Sequence, residues 1–255
     1  MWTRLALIAA VWLVAGPAAA ASNDDCLTCH TDQKAIESSI HGPLACVDCH
    51  SALAATKEFP HATPVDTVKC AGCHDDIGPR YGDSIHAWAK AKAGLVAAPA
   101  CAECHGKHDI KAHTDPASRV HRTRIPQTCG SCHPRVVESF RKTFHGKVSE
   151  LGFTRVAACA DCHGAHDILP PGNPASTVSK ARLVETCSRC HPGANERFVA
   201  YDPHPNPRDY HRNKVLWAAN IFYWMLIPSC FGFFGLHSAL WLYRSRKESR
   251  HAHAE

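Results

Sequence analysis

Long apolar runs gather at the two ends of the chain and are absent between them. Residues 5–15 form a short apolar stretch behind Arg4, followed by Ala19, Ala20 and Ala21. A basic start, an apolar stretch and an A-x-A-like site predict a cleaved export signal over 1–21, with the mature chain beginning near Ser22. The other reading is a membrane anchor, for which the stretch is short against a span of about 20 residues. The far end is different. Residues 215–243 are 29 positions without Asp, Glu, Lys or Arg. At about 1.5 Å per residue they exceed a hydrocarbon core of about 30 Å, so one transmembrane helix is predicted there, tilted or kinked at Pro228. Trp217, Trp224, Trp241 and Tyr243 place aromatics near both ends of the run, and Arg244, Arg246, Lys247 and Arg250 follow at once. The positive-inside rule then puts the tail 244–255 in the cytoplasm and everything before the helix outside it.

Between the ends there is no convincing alternation of period two, so no strand is predicted. Residues 134–151 carry the best helical pattern, with Pro134 at its start and Val137, Phe140, Phe144 and Val148 along one face. The remainder reads as short helices and loops. Residues 201–214 form a neck with three prolines, too broken for a long helix. The expected fold class is mainly α with extensive loops, plus the C-terminal membrane helix.

Composition changes this picture more than charge does. With 15 Cys and 20 His, but only 2 Met and 9 Phe, the chain lacks the residues of a large apolar core. Something other than side-chain packing is expected to fill the interior. The formal charge of +5 raises the question of nucleic acid. A nucleic-acid binder should show a basic patch or stripe, whereas Lys and Arg are scattered here except at the C-terminus.

Fourteen of the cysteines fall into seven copies of C-x-x-C-H: Cys26/Cys29/His30, Cys46/Cys49/His50, Cys70/Cys73/His74, Cys101/Cys104/His105, Cys129/Cys132/His133, Cys159/Cys162/His163 and Cys187/Cys190/His191. The leftover Cys230 lies inside the membrane helix and reads as a small apolar filler. One copy could be a redox pair or half a zinc site. Seven copies, each followed by His in an exported chain, point to covalently attached c-type haem. Two thiols three positions apart can reach the two vinyl groups, and the adjacent His offers a ring nitrogen to the iron. Seven haems would bring about −14 of propionate charge and take the formal +5 to about −9 before iron is counted.

The strings sit in a repeat. Cys70 and Cys129 are 59 positions apart, Cys101 and Cys159 are 58 apart, and a shorter copy spans 26–50. The modules are 26–50, 70–128 and 129–191 within a haem domain over 22–200. Each unit holds two haem sites with a histidine between them: His41, His86 or His145, 15 or 16 positions after the first Cys. A second histidine follows the later string closely, as His108 and His166, with His61 as the substitute in the short copy. Together with His204 these are the candidate distal ligands. His113, His121 and His211 are left as surface or propionate-pairing residues. An iron held by His on both faces has no open position and passes electrons only. About 180 residues around seven haems would force neighbouring macrocycles close together, and tunnelling weakens exponentially with distance, so crowded haems form a conducting chain. The neck is expected to hold the last haem, that of His191, near the bilayer.

The string S-x-H-G…C-A-D-C-H-G-A-H-D-I…N-P-A-S…T-C-x-x-C-H resembles the multihaem cytochrome c family of anaerobic and metal-reducing bacteria. The C-terminal segment resembles the junction at which such domains meet a membrane cytochrome b. The whole is similar to heptahaem c-type subunits of inner-membrane cytochrome bc quinol oxidoreductases. That resemblance implies a di-haem cytochrome b partner meeting the menaquinol pool, periplasmic cytochromes or other redox acceptors, and a haem domain in the periplasm on a single-pass inner-membrane anchor. His237, the single ionisable residue of the membrane run, is either a contact to a partner's b-haem or quinol, or a packed interfacial residue. No catalytic residue is expected. Two other functions stay open: a terminal reductase of a small oxyanion with one open haem, and a stand-alone membrane-tethered electron store.

Overall fold

The structure, a computed structural model, describes residues 22–56, 60–61 and 65–252. The export-signal segment 1–21 lies outside the described residues. Among the described residues eleven α-helices follow one another: α1 Asn23–Cys29, α2 Cys46–Cys49, α3 Ile77–Gly82, α4 Ile85–Ala91, α5 Cys101–His105, α6 Ile125–Gly130, α7 Pro134–Arg141, α8 Phe144–Glu150, α9 Cys159–His163, α10 Leu183–Ser188 and α11 Lys214–Ala252. Short 3-10 turns join them, and no strand occurs among the described residues. All but α11 are eight residues or shorter, below the length at which a helix holds itself together in water. Capping and tertiary contacts must therefore hold them.

The side-chain core is very small. Among the described residues the buried apolar side chains are Ala87, Ala98, Val137, Phe140 and Ala158, outnumbered by buried Ser and Thr. Large apolar groups stand in the open instead, with Phe144 at 76% and Leu151 at 86% exposure. Most of the helices barely touch. The exception is the cluster of α6, α7, α8 and α9, where Val137 and Phe140 are buried.

The stretch predicted as one helix over 134–151 is two. Thr143 breaks it: its backbone is extended, its hydroxyl donates to the Phe140 carbonyl (2.6 Å) and accepts from the Gly146 N–H (3.1 Å). A threonine that bonds its own backbone competes with the helical ladder and here starts a second helix. The turn is tight enough that a Cβ at Gly146 would lie 2.1 Å from the Phe140 oxygen, so only glycine fits. The apolar face is cut in consequence: Val137 and Phe140 are buried, while Phe144 is exposed.

Helix α11 contains a segment, Lys214–Ser249, long and apolar enough to cross a membrane, and none of its apolar window is buried in the protein. Asn213 caps its start, its Oδ1 accepting from the Leu216 N–H (2.9 Å). Pro228 removes one rung of the ladder, yet the helix runs through it. His237 is exposed on this helix.

Candidate metal centres

Each C-x-x-C-H string closes a helical turn. The His N–H donates to the first Cys carbonyl at 3.0 Å in His30, 2.9 Å in His50, 3.0 Å in His74, and 2.9 Å in His133 and His191. Residues three apart on such a turn are surface neighbours, so the two thiols of a string face the same side. We number the sites 1 to 7 by their motif histidines His30, His50, His74, His105, His133, His163 and His191.

The strings are of two kinds. Sites 2, 4 and 6 lie on α2, α5 and α9 and share the pattern Ala-Cys-x-acid-Cys-His. The acid accepts from the alanine N–H: Asp48 from Ala45 (2.8 Å), Glu103 from Ala100 (2.7 Å) and Asp161 from Ala158 (2.7 Å). That bond satisfies an orphan donor at the helix start, as in half a capping box. Arg122 reaches over to Asp161 with both terminal nitrogens (2.8 and 3.2 Å). Histidines His50, His105 and His163 are half-buried, whereas His30, His74, His133 and His191 are exposed. The sequence reading missed this alternation, although the acid at the third position of every second string announces it.

Every motif histidine has a second imidazole facing it. The ring centres of His30 and His61 are 5.8 Å apart, those of His50 and His108 6.2 Å, and those of His74 and His41 6.1 Å. His105 and His166 stand at 6.0 Å, His133 and His86 at 6.2 Å, His163 and His204 at 6.2 Å, and His191 and His145 at 6.0 Å. The seven facing residues are those singled out as distal candidates. Of the three set aside, His121 bonds Thr123 (2.8 Å), His211 meets the edge of Tyr210 (5.6 Å), and His113 is exposed.

The pairing does not follow the modules. His41 and His86 face sites 3 and 5, each in the next module along the chain, while His145 faces site 7 at the end of its own module. His108 and His166 face sites 2 and 4, each in the module before their own, and His204 reaches site 6 from the neck. Neighbouring modules thus exchange histidines reciprocally. Backbone bonds join the exchanged segments: the Ile40 N–H donates to the Ile110 carbonyl (3.0 Å) and the Ile85 N–H to the Ile168 carbonyl (2.8 Å). His61, eleven positions past the end of the first module, faces site 1. The neck histidine, His204, faces site 6, and so the neck bears on His163, while the ring facing His191 is His145.

Two local devices aim these rings. A buried hydroxyl lies two residues before the histidines that serve sites 3, 5 and 7: Ser39 before His41, Ser84 before His86 and Thr143 before His145. Ser39 accepts from the His41 N–H (3.1 Å), Ser84 from the Ala87 N–H (3.1 Å). Replacing Ser84 with Ala should cost about 1 kcal/mol of stability, as loss of an N-cap does, and lower the melting temperature where Ser84→Thr does not. For sites 2 and 4 a Gly-x-His-Asp turn serves. Gly106 and Gly164 have φ of +94° and +80°, and a Cβ on either would lie within 2.8 Å of the Asp109 or Asp167 carboxylate. Asp109 pairs with Arg119 (3.1 Å), Asp167 with Arg80 (3.5 Å).

The chemistry of these pairs fits haem iron better than zinc. Two metal–imidazole bonds of about 2.0–2.1 Å, plus about 1 Å from each nitrogen to its ring centre, sum to roughly 6 Å. Zinc wants four protein ligands, and among the described residues no group of three His, Cys, Asp or Glu converges. No described cysteine is in a disulfide. The buried Nδ1 of His50 has no partner within the protein. Burial holds His50, His86, His105, His145, His163 and His204 below the ordinary histidine range, and for the first five the facing or nearby rings push the same way. Rings held neutral keep a lone pair for a metal.

Cysteine contacts order the sites in space. Within modules the first cysteines meet: Cys46 with Cys26, Cys101 with Cys70, and Cys159 with Cys129. In the last pair Cys159 donates to the Cys129 sulfur, which holds the Cys129 thiol down to about 7 and pushes that of Cys159 up. From sites 2, 4 and 6 to the string that follows, burial raises Cys49, Cys104 and Cys162, and the nearby cysteines of that next string (Cys70 and Cys73, Cys129 and Cys132, Cys187 and Cys190) raise each further. Site 1 therefore adjoins site 2, site 2 adjoins site 3, and so on to site 7.

No protein-family model matches the chain, and no solved structure matches it. A protein of Kuenenia stuttgartiensis described as a probable nitrite reductase-hydroxylamine oxidoreductase fusion protein is 24% identical over 199 residues. The match covers 68% of this chain and 21% of that protein, so the chain spans about a fifth of its relative's length. Taken with the repeated attachment strings, the likeness suggests a multihaem c-type cytochrome that transfers electrons.

Proposed function

We propose that the chain is a membrane-anchored heptahaem cytochrome that relays electrons between a quinol-oxidising cytochrome b partner in the inner membrane and acceptors in the periplasm. The observation that carries this reading is the set of seven facing imidazole pairs, one at each C-x-x-C-H string, in unbroken succession. Cys26, Cys29, Cys46, Cys49, Cys70, Cys73, Cys101, Cys104, Cys129, Cys132, Cys159, Cys162, Cys187 and Cys190 would hold the porphyrins as thioethers. The paired histidines would bind the irons from both faces. Bound haem supplies reversible one-electron chemistry, with a potential tuned by axial ligands, burial and hydrogen bonding.

The residues do the rest. With a facing ring on each side, the paired histidines would leave a bound iron no position open to a small molecule. Exposed Phe144 and Ile40, each next to a facing histidine, offer apolar surface to a macrocycle that the side-chain core does not use. The hydroxyl caps and Gly-x-His-Asp turns fix ring directions, which limits rearrangement on electron transfer. Helix α11 would tie the array to the bilayer, and His237 on it would face the partner. The relative's printed name makes a terminal reductase of a nitrogen oxyanion the second reading. A facing ring at all seven sites favours the relay.

Purification from membranes in mild detergent tests both. The expected preparation is red and low-spin, carries seven haems per chain, fails to bind carbon monoxide, and brings a b-type haem subunit with it. A haem ratio far below seven, or an iron that takes carbon monoxide readily, overturns the relay reading.

A further inference from the structure

Each histidine exchanged between modules rests on a local device, and the neck's is different from the rest. No C-x-x-C-H string lies between His191 and α11, and no Gly-x-His-Asp turn precedes His204. In its place stands Asp202-Pro203-His204-Pro205. A proline on either side restricts the backbone of the ring-bearing residue to extended conformations. The His204 N–H donates to Asp202 Oδ1 (2.9 Å). The same carboxylate receives both arms of Arg212, Nε at 2.8 Å on Oδ2 and Nη2 at 2.9 Å on Oδ1. Arg212 is two residues from the first turn of α11, whose cap is Asn213. Bidentate arginine–carboxylate pairs are directional as well as strong. On its other side, His204 Nδ1 meets Ser139 Oγ of α7 at 3.3 Å. That hydroxyl donates to the Val136 carbonyl (2.7 Å), so it accepts from His204 Nδ1–H and leaves Nε2 as the free ligand atom.

We propose that the Asp202–Arg212 pair is a strut that positions His204 at site 6, making the root of the membrane helix part of that site's ligand sphere. The inference rests on the reading of the facing histidines as axial ligands. Asp202 and Arg212 are positioning residues: neither touches the metal, and both act through the His204 ring. The strut gives the anchor a mechanical hold on one particular iron. A helix displaced by a membrane partner would pull on the site 6 ligand before it disturbed any other.

Four variants of the full-length holoprotein in detergent test this: His204→Ala, Arg212→Ala, Asp202→Asn and Arg212→Lys. The readouts are haem count, ferric high-spin signal, carbon monoxide uptake and the redox titration of each haem. His204→Ala should open one haem in seven. Arg212→Ala and Asp202→Asn should each keep seven haems and open a fraction of that same haem, with a shift in its potential alone. Arg212→Lys should restore much of the low-spin state, and Arg212→Ala added to His204→Ala should open no further site. If His204→Ala opens nothing, the axial-ligand reading itself fails. If it opens one haem while Arg212→Ala and Asp202→Asn leave the spectrum and potential unchanged, the strut is overturned and the ligand reading survives. A loss of several haems in Arg212→Ala and Asp202→Asn alike would also overturn it, by showing a general structural role.

Discussion

Replacing His41 with Ala should abolish one distinctive low-spin signal and create one high-spin, carbon monoxide-binding haem, leaving the other six as they were. The reason is the angle between rings. His41 and His74 cross at 68°, whereas the other facing pairs lie between 8° and 41°. Axial imidazoles in crossed planes leave two iron d-orbitals nearly equal in energy, which produces a strongly anisotropic paramagnetic signal. Near-parallel planes split those orbitals and give the ordinary rhombic kind. Paramagnetic resonance of the oxidised protein should therefore show a single outlying species, assigned to site 3. His86→Ala should open a haem too, while keeping the outlier. If His41→Ala keeps the outlying signal, His41 does not serve site 3, and the exchange between modules is wrong at its first border.

The second large effect is expected from a gap in the middle of the array. Removing site 4 by Cys101→Ala together with Cys104→Ala should cut current through the protein by orders of magnitude. Removing site 1 by Cys26→Ala with Cys29→Ala should cost far less. Sites adjoin only in succession, and a missing member doubles the step between its neighbours, over which tunnelling falls exponentially. Site 1 is terminal, so its loss shortens the path without breaking it. The measurement is current from an electrode-supported bilayer, with α11 on the electrode side, to a soluble acceptor. Equal losses in the two variants would show that electrons enter and leave at many places, and that the succession of cysteine contacts is not the path.

Much of this molecule is written in short-range patterns, which is why the sequence shows them. Adjacent cysteines and histidine define each turn without help from elsewhere, and a 29-residue apolar run defines α11. The lack of a side-chain core was legible in residue counts and is visible in the five buried apolar side chains among the described residues. The candidate histidines were legible as a set, because their supply and repeat positions select them. Their partners were not. Whether His41 serves its own module or the next depends on contacts such as Ile40 with Ile110, seventy residues apart, and no periodicity along the chain reports them. The single helix expected over 134–151 failed for the converse reason: a perfect apolar face outvoted Thr143, whose hydroxyl had a better use at a cap. The acids at Asp48, Glu103 and Asp161 recur at the same place in every second string, but their bonds to the preceding alanine N–H show only in the structure.

The borders between repeats are nearly alike, and that uniformity bears on length. A unit of about 59 residues inserted at a border would receive one imidazole from its upstream neighbour, give one back, and do the same downstream. Nothing inside the flanking repeats would need redesign. A wire assembled this way is elastic in its number of cassettes, and its reach can be set by duplication or deletion of whole units, with only the segment next to the bilayer held to a single solution.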